Sequence, residues 1–200
     1  MPGTDQVKSR KQTEPALGHD SADADTLRSA AGGDVEAFRT LFDRYYALVY
    51  RFILRIVRRP ELAEEAANDS FLEVWRGAGR FRGESRVSTW IYGIAHHKAL
   101  NALRGLRGSR HVDLEDAEEK ADPAQDPHMA AEEWQRRGRV RKALARLTAE
   151  HRTVVELAFY HGLAYAEIAR VVGCPENTVK SRMFYAKKKL GQSLAAMMEE

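Results

Sequence analysis

The sequence predicts an all-α protein: two small helical domains joined by an acidic, flexible linker. Three observations carry that expectation. Apolar residues recur at helical spacing from Asp34 to Leu106 and again from Val140 to Leu190. Between those blocks, Asp113 to Glu133 holds nine acids against the single cation Lys120, together with Pro123 and Pro127. Such a stretch buries too little apolar surface to fold alone and suits an extended connection. Finally, Gly173-Cys174-Pro175 interrupts the last helical block with a tight break.

Taken in order, residues 1–22 mix Gly, Pro, Ser, Lys and Asp without periodicity and are expected to form a disordered tail. From Asp34 to Arg59, the residues Phe38, Leu41, Phe42, Tyr45, Val49, Phe52, Ile53 and Ile56 predict a long buried helix, and Arg58-Arg59 suit its C-terminal end. Pro60 opens a second helix with Glu61, Glu64 and Glu65 in its first turns and Leu62, Ala66, Phe71, Leu72 and Trp75 as its apolar set. Gly77 and Gly79 end it. Phe81 to Ser88, FRGESRVS, reads as a polar loop, and a third helix runs from about Thr89 to Leu106 with Trp90, Ile94, Ala95 and Leu103 toward the core. After the linker, Val140, Leu144 and Leu147 resume the helical period. Thr148 then caps a helix whose Val154, Val155, Leu157 and Ala158 face the final helical pair.

That final pair, GLAYAEIARVVGCPENTVKSRMFYAKKKL, reads as a helix-turn-helix. Val179, Met183, Ala186 and Leu190 form one apolar stripe. The other face offers Asn177, Thr178, Lys180, Ser181, Phe184, Tyr185 and Lys188, a mix that reads base edges and grips phosphates. Pro175 is expected at the first helical position. A second nucleic-acid signal lies upstream. Arg86 to His111 contains no acid but carries Arg86, Lys98, Arg104, Arg107 and Arg110, with Phe81, Trp90 and Tyr92 close by. Cations for a backbone and flat side chains for unstacked bases are what single-stranded DNA requires. A packed core with a solvated basic face would account for part of the same pattern.

Composition narrows the classes. The chain has 200 residues, 44% hydrophobic content, a net charge of +3, a pI of about 9.0 and one cysteine, Cys174, which excludes an internal disulfide. No apolar run approaches a membrane span and no signal-peptide core opens the chain, so a cytoplasmic protein without membrane insertion is expected. His96 and His97 are adjacent, point to different sides of a helix and have no carboxylate or cysteine at ligand spacing, so no metal site is expected. No paired carboxylates or nucleophile and base stand out, so neither a catalytic residue nor a cofactor is expected.

The order of these parts, FRGESRVSTWIYGIAHHKALNALR, then the acidic linker, then the helix-turn-helix block, resembles the extracytoplasmic-function group of the sigma-70 family over about residues 34 to 192. The resemblance implies a region 2 domain (23–110), a linker (111–133) that threads into the polymerase cleft, and a region 4 domain (134–200). It also implies, as partners, core RNA polymerase through the β′ clamp helices and the β flap, promoter DNA, and an anti-sigma factor. By the same resemblance Glu64, Glu65, Asn68, Asp69 and Phe71 bind the core enzyme. Phe81, Arg82, Arg86, Trp90, His97, Lys98, Asn101 and Arg104 bind the melted minus-10 strand. Asn177, Thr178, Lys180, Ser181, Arg182, Phe184, Tyr185 and Lys188 bind the minus-35 duplex, usually GGAAC-like, with Arg182 on a phosphate. Tyr185 stands where a basic residue is frequent, and His97 where asparagine is. The competing expectation is a conventional helix-turn-helix activator, which shares the last domain but does not explain the FRGES loop beside a basic aromatic helix.

Overall fold

A computed structural model describes residues 20–108 and 131–197. Eight α-helices make it up: α1 (Asp20–Ala31), α2 (Val35–Val57), α3 (Pro60–Gly77), α4 (Val87–Gly108), α5 (Ala131–Ala145), α6 (Ala149–Phe159), α7 (Tyr165–Val172) and α8 (Glu176–Ala196). A short 3-10 turn, Ala78–Arg80, separates α3 from the loop before α4. Among the described residues no element is a strand.

The first unit is α1 to α4, built around α2. Asp34 starts α2 by accepting hydrogen bonds from the backbone N–H groups of Glu36 and Ala37 at 3.0 and 3.1 Å. Leu41, Tyr45, Val49, Phe52, Ile53 and Ile56 are buried along it. Arg58 closes the helix in the left-handed conformation (φ 60), an unusual choice for a residue with a side chain. Pro60 then opens α3 at its first position, as the sequence predicts.

The core stripes of α3 and α4 differ in phase from the expectation. On α3 the buried residues are Ala63, Ala66, Ala67, Ser70, Phe71 and Val74, while Leu72 is exposed and Leu62 and Trp75 are half-buried. Small residues let α3 approach α2 and α4 closely, which pushes the larger apolar groups to the edge. On α4 the stripe is Val87, Ile91, Tyr92, Ala95 and Ala99, and Trp90, Ile94 and Leu103 are half-buried. Helix α4 also starts at Val87 rather than Thr89, which shortens the loop to residues 81–86.

Helix α1 was not legible as an element. Its start at Asp20 places residues 20–22, expected in the tail, in a helix. Asp23, 1% exposed, receives hydrogen bonds from Arg44 and the Tyr45 hydroxyl, so a buried acid ties α1 to α2. The remainder of the expected tail, and the expected linker apart from residues 131–133, lie outside the described residues; those three belong to α5.

The second unit is α5 to α8. Thr148 caps α6 as expected, accepting from the His151 N–H at 3.4 Å. Ala164 precedes α7 without a side-chain oxygen to offer, but Glu167 accepts the Ala164 N–H at 2.9 Å and so supplies the reciprocal half of a cap. Gly173, at φ 65, makes the left-handed turn that ends α7. Pro175 stands at the N-cap of α8, one residue before the helical position expected for it. Val179, Met183 and Ala186 are buried and Leu190 half-buried, the stripe the spacing predicts.

The two units dock. Helix α4 packs on α7 and α2 packs on α6, and one apolar cluster runs through both.

Candidate nucleic-acid interface

Three surfaces gather the residues singled out in the sequence. The first lies on α2 and α3. Asn68, Phe71, Leu72 and Trp75 face Val35, Phe38 and Phe42 across an apolar groove of about 320 Å³. Its floor is aromatic: Phe42 stacks on Tyr46 with centroids 4.6 Å apart, Phe71 meets Phe42 edge-on at 4.9 Å, and Phe38 meets Trp75 edge-on at 5.0 Å. The Tyr46 hydroxyl donates to Asn68 Oδ1 at 3.0 Å. Burial, with the nearby Glu64 charge, holds the Tyr46 phenol above its ordinary pKa. Glu64, Glu65 and Asp69 are exposed beside this groove. Phe71 is buried, so it forms the floor rather than an exposed contact.

The second surface is the loop 81–86 with α4. The Phe81 ring lies 5.4 Å from that of Trp90, both half-buried. Trp90 sits over Gly77, where a Cβ would come within 3.4 Å of its ring. His97, Asn101 and Arg104 form an exposed stripe at helical spacing. Arg104 donates to Asn101 Oδ1 at 3.0 Å, and Asn101 Nδ2 lies 3.4 Å from His97 Nδ1. Lys98 departs from that stripe and pairs with Glu73 at 2.8 Å, a bond that holds the Glu73 carboxyl below its usual pKa. Arg82 is exposed, whereas Arg86 Nε lies 3.5 Å from Glu167 on α7.

The third surface is the outer face of α8. Asn177, Lys180, Ser181, Phe184, Tyr185 and Lys188 are exposed and Thr178 half so. Phe184 and Tyr185 expose 63% and 57% of their area, with rings 5.5 Å apart. Both large aromatic side chains are thus left largely in water. Lys180 is held by Glu176 at 2.9 Å, and the Ser181 hydroxyl donates to the Asn177 carbonyl at 3.0 Å. Arg182 differs from its neighbours: it is half-buried, with Nη1 3.9 Å from Cys174 Sγ.

Sequence reasoning missed the polar seam between the units. Arg55 pairs with Glu156 at 2.6 Å, and Tyr92 Oη lies 2.6 Å from His161 Nδ1. Thr89 donates to Glu167 at 3.2 Å. Arg152 Nη1 donates to the Arg55 carbonyl at 2.8 Å, while its other nitrogens satisfy the carbonyls of Leu144, Ala145 and Leu147 at the end of α5. Burial, with Arg55 and Arg51 nearby, pushes His161 down to about 3; burial, with Arg182 and His97 nearby, pushes His96 down to about 4. Glu156 and Arg152 carried one available signal, charges on the apolar side of α6. Their shared partner in the first unit, Arg55, sits about a hundred residues upstream, beyond any local pattern.

Among the described residues no cluster of His, Cys, Asp and Glu could hold a metal ion, and no helix is long and apolar enough to cross a membrane.

A helical unit that sets an aromatic pair beside an exposed amide and guanidinium stripe, docked on a second that ends in a helix-turn-helix, defines a class: a two-unit, all-helical helix-turn-helix protein. Residues 41–108 match the family model Sigma-70 region 2, and residues 137–190 match Sigma-70, region 4. The sequence is 34% identical over 184 residues to the ECF RNA polymerase sigma factor SigM of Mycobacterium tuberculosis, covering 90% of each chain. It is 33% identical over 178 residues to SigK of Mycobacterium bovis, covering 87% of this chain and 95% of that one. The chain belongs to the extracytoplasmic-function group of the sigma-70 family of RNA polymerase sigma factors. Its fold is similar to that of CnrH solved with the cytosolic domain of CnrY (TM-score 0.65, 21% identity, 88% of this chain and 98% of that one). It is also similar to the sigma factor RpoE of Bartonella quintana solved with the anti-sigma factor NepR (TM-score 0.66, 22% identity, 80% and 98%).

Proposed function

We propose that the chain binds core RNA polymerase through the α2 and α3 groove, holds the melted minus-10 strand with loop 81–86 and α4, and reads the minus-35 duplex with the exposed face of α8. The observation that supports this reading is that one chain exposes two chemically different sets of polar and aromatic groups, one on each unit. His97, Asn101 and Arg104 stand exposed along α4, beside the paired rings of Phe81 and Trp90. Stacking surfaces next to hydrogen-bonding groups suit unstacked bases. The exposed groups of α8, from Asn177 to Lys188, suit a major groove.

In the core-binding role, the acids Glu64, Glu65 and Asp69 would steer the β′ clamp helices electrostatically, and the aromatic groove would supply the desolvated contact. The second unit would meet the β flap, and residues 111–133 would lie in the polymerase cleft. The polymerase supplies the chemistry, and this chain supplies promoter choice and strand capture in the cytoplasm. Two of the structural neighbours were solved with CnrY and with the anti-sigma factor NepR, which supports control of this chain by an anti-sigma factor as well.

The direct test is transcription. The purified protein should make core polymerase start at a defined position on a promoter that the core enzyme alone ignores. If it raises transcription only when another sigma factor is already present, the activator reading replaces this one.

A further inference from the structure

Trp90, Ile94, His97, Asn101 and Arg104 repeat at spacings of four and three along α4, so they share one face of that helix. The first two are half-buried and the last three exposed. A chain of hydrogen bonds fixes the polarity of the exposed three. A guanidinium has donors only, so Arg104 Nη1, at 3.0 Å from the Asn101 amide, must face its oxygen, Oδ1. That turns the amide nitrogen toward His97, where it lies 3.4 Å from Nδ1. An amide N–H donates, so Nδ1 accepts and the His97 proton sits on Nε2.

With the Asn101 oxygen turned to Arg104 and His97 Nδ1 turned to Asn101, the groups left for a ligand are donors. They are His97 Nε2–H, the second Asn101 amide N–H and the remaining Arg104 N–H groups. No Asp or Glu lies in α4, and Glu73, close enough for its carboxyl to feel His97, is held by Lys98 at 2.8 Å. From His97 to Arg104 the helix rises about 10 Å, the length of about three stacked nucleotides.

Resting on the minus-10 reading above, we propose that His97 and Asn101 select guanine in the melted strand, and that Arg104 is the positioning residue that sets the Asn101 amide for it. Guanine presents two neighbouring acceptors, N7 and O6, with no donor between them. Adenine and cytosine set an amino donor beside their acceptor, where it would meet another donor of the stripe, and thymine puts a methyl group beside O4. Released from Arg104, the Asn101 amide is free to turn and take the bidentate pairing with adenine N6 and N7. Arg104 therefore decides which purine the asparagine reads.

The experiment uses holoenzyme assembled from core polymerase and the full chain, with a duplex carrying an unpaired segment whose non-template strand is randomised. Bound molecules are sequenced. The parent should enrich guanine at one position by about tenfold, and Arg104→Leu should move that preference to adenine. Arg104→Lys, which keeps a donor for Oδ1, should restore guanine. Replacing the selected guanine by 7-deazaguanine, which lacks the N7 acceptor, changes only the DNA and should weaken binding of the parent by about tenfold. Three results would each overturn the proposal while leaving the minus-10 reading in place: enrichment of another base, equal binding of all four bases as for a phosphate contact, or a guanine preference unchanged by Arg104→Leu or by 7-deazaguanine. A holoenzyme that binds the unpaired segment no better than a fully paired duplex overturns both.

Discussion

The Arg55 guanidinium on α2 and the Glu156 carboxylate on α6 meet at 2.6 Å across 101 residues of sequence, with the Glu156 side chain 1% exposed. The guanidinium also lies over the Tyr160 ring, 4.0 Å from its centroid. A buried acid so placed links the two units, because its guanidinium partner lies on the other unit and separating them breaks the pair.

Glu156→Ala should therefore destabilise the chain by about 1–3 kcal/mol, since it leaves a partly buried guanidinium without its carboxylate. Replacing both residues by methionine should recover much of that loss, because an apolar pair of similar volume has no charge to desolvate. Urea unfolding of the two singles and the double gives the coupling energy. Additive losses would mean that the pair contributes nothing as a pair.

Acid should weaken the docked state. His96 and His161 are neutral in it, pushed down to about 4 and about 3 from an ordinary value near 6.5, with burial the first cause for both. The separated or unfolded chain takes up these protons first. The stability due to neutral histidines is thus complete above about pH 6.5 and is lost as pH falls from there toward their native values. At pH 5 the loss should reach up to about 2 kcal/mol for each histidine. Thermal unfolding between pH 7.5 and 5 measures it, and His161→Gln should flatten the slope; a slope unchanged by that substitution would mean that the docked state does not bury a neutral His161.

What was legible in the sequence follows the range of the interactions involved. Thr148 and Pro60 announce helix starts because capping and the proline ring act within one turn. The α8 stripe was readable because Val179, Met183 and Ala186 repeat with one period and are all buried, leaving the opposite face exposed. Helices α3 and α4 are packed from more than one side, so periodicity named apolar residues without fixing which side was deepest. Trp90 and Leu72 were misplaced for that reason, while Ala67 and Ala99 are fully buried. Helix α1 eluded the reading because Asp23 is buried by Arg44 and Tyr45, partners far along the chain that turn an acid into a core residue. The pairing of Glu167 with Arg86 was invisible for the same reason.

The polymerase-binding proposal predicts that charge and apolar area act separately on α3. Glu65→Lys with Asp69→Lys should weaken holoenzyme assembly by several kcal/mol if these exposed acids face basic groups. Leu72→Ser removes an exposed apolar side chain from the groove and should weaken assembly by about 1–2 kcal/mol, with little change in fold stability. Competition for core polymerase against a labelled parent measures both. Full competition by the charge-reversed variant would remove α3 from the interface.

The recognition helix offers the sharpest test because its candidate residues have different surroundings. Lys180 is exposed near the N-terminal end of α8 and is paired with Glu176, an exposed pair that DNA can replace at little cost. Lys180→Ala should cost about 1–3 kcal/mol at the preferred minus-35 site and relax preference at one base position. Phe184 and Tyr185 project apolar area into water, so Tyr185→Ala should matter most where the site presents thymine methyls. Arg182 is half-buried beside Cys174, which leaves a phosphate rather than a base edge as the contact proposed for it. Arg182→Ala should weaken all sequences alike and lower the slope of log K against log salt by about one. Selection from a randomised minus-35 pool separates these outcomes. Base preferences unchanged in both Lys180→Ala and Tyr185→Ala, with a change only in Arg182→Ala, would assign the DNA to the inner edge of α8 and leave the exposed aromatic pair for a protein partner.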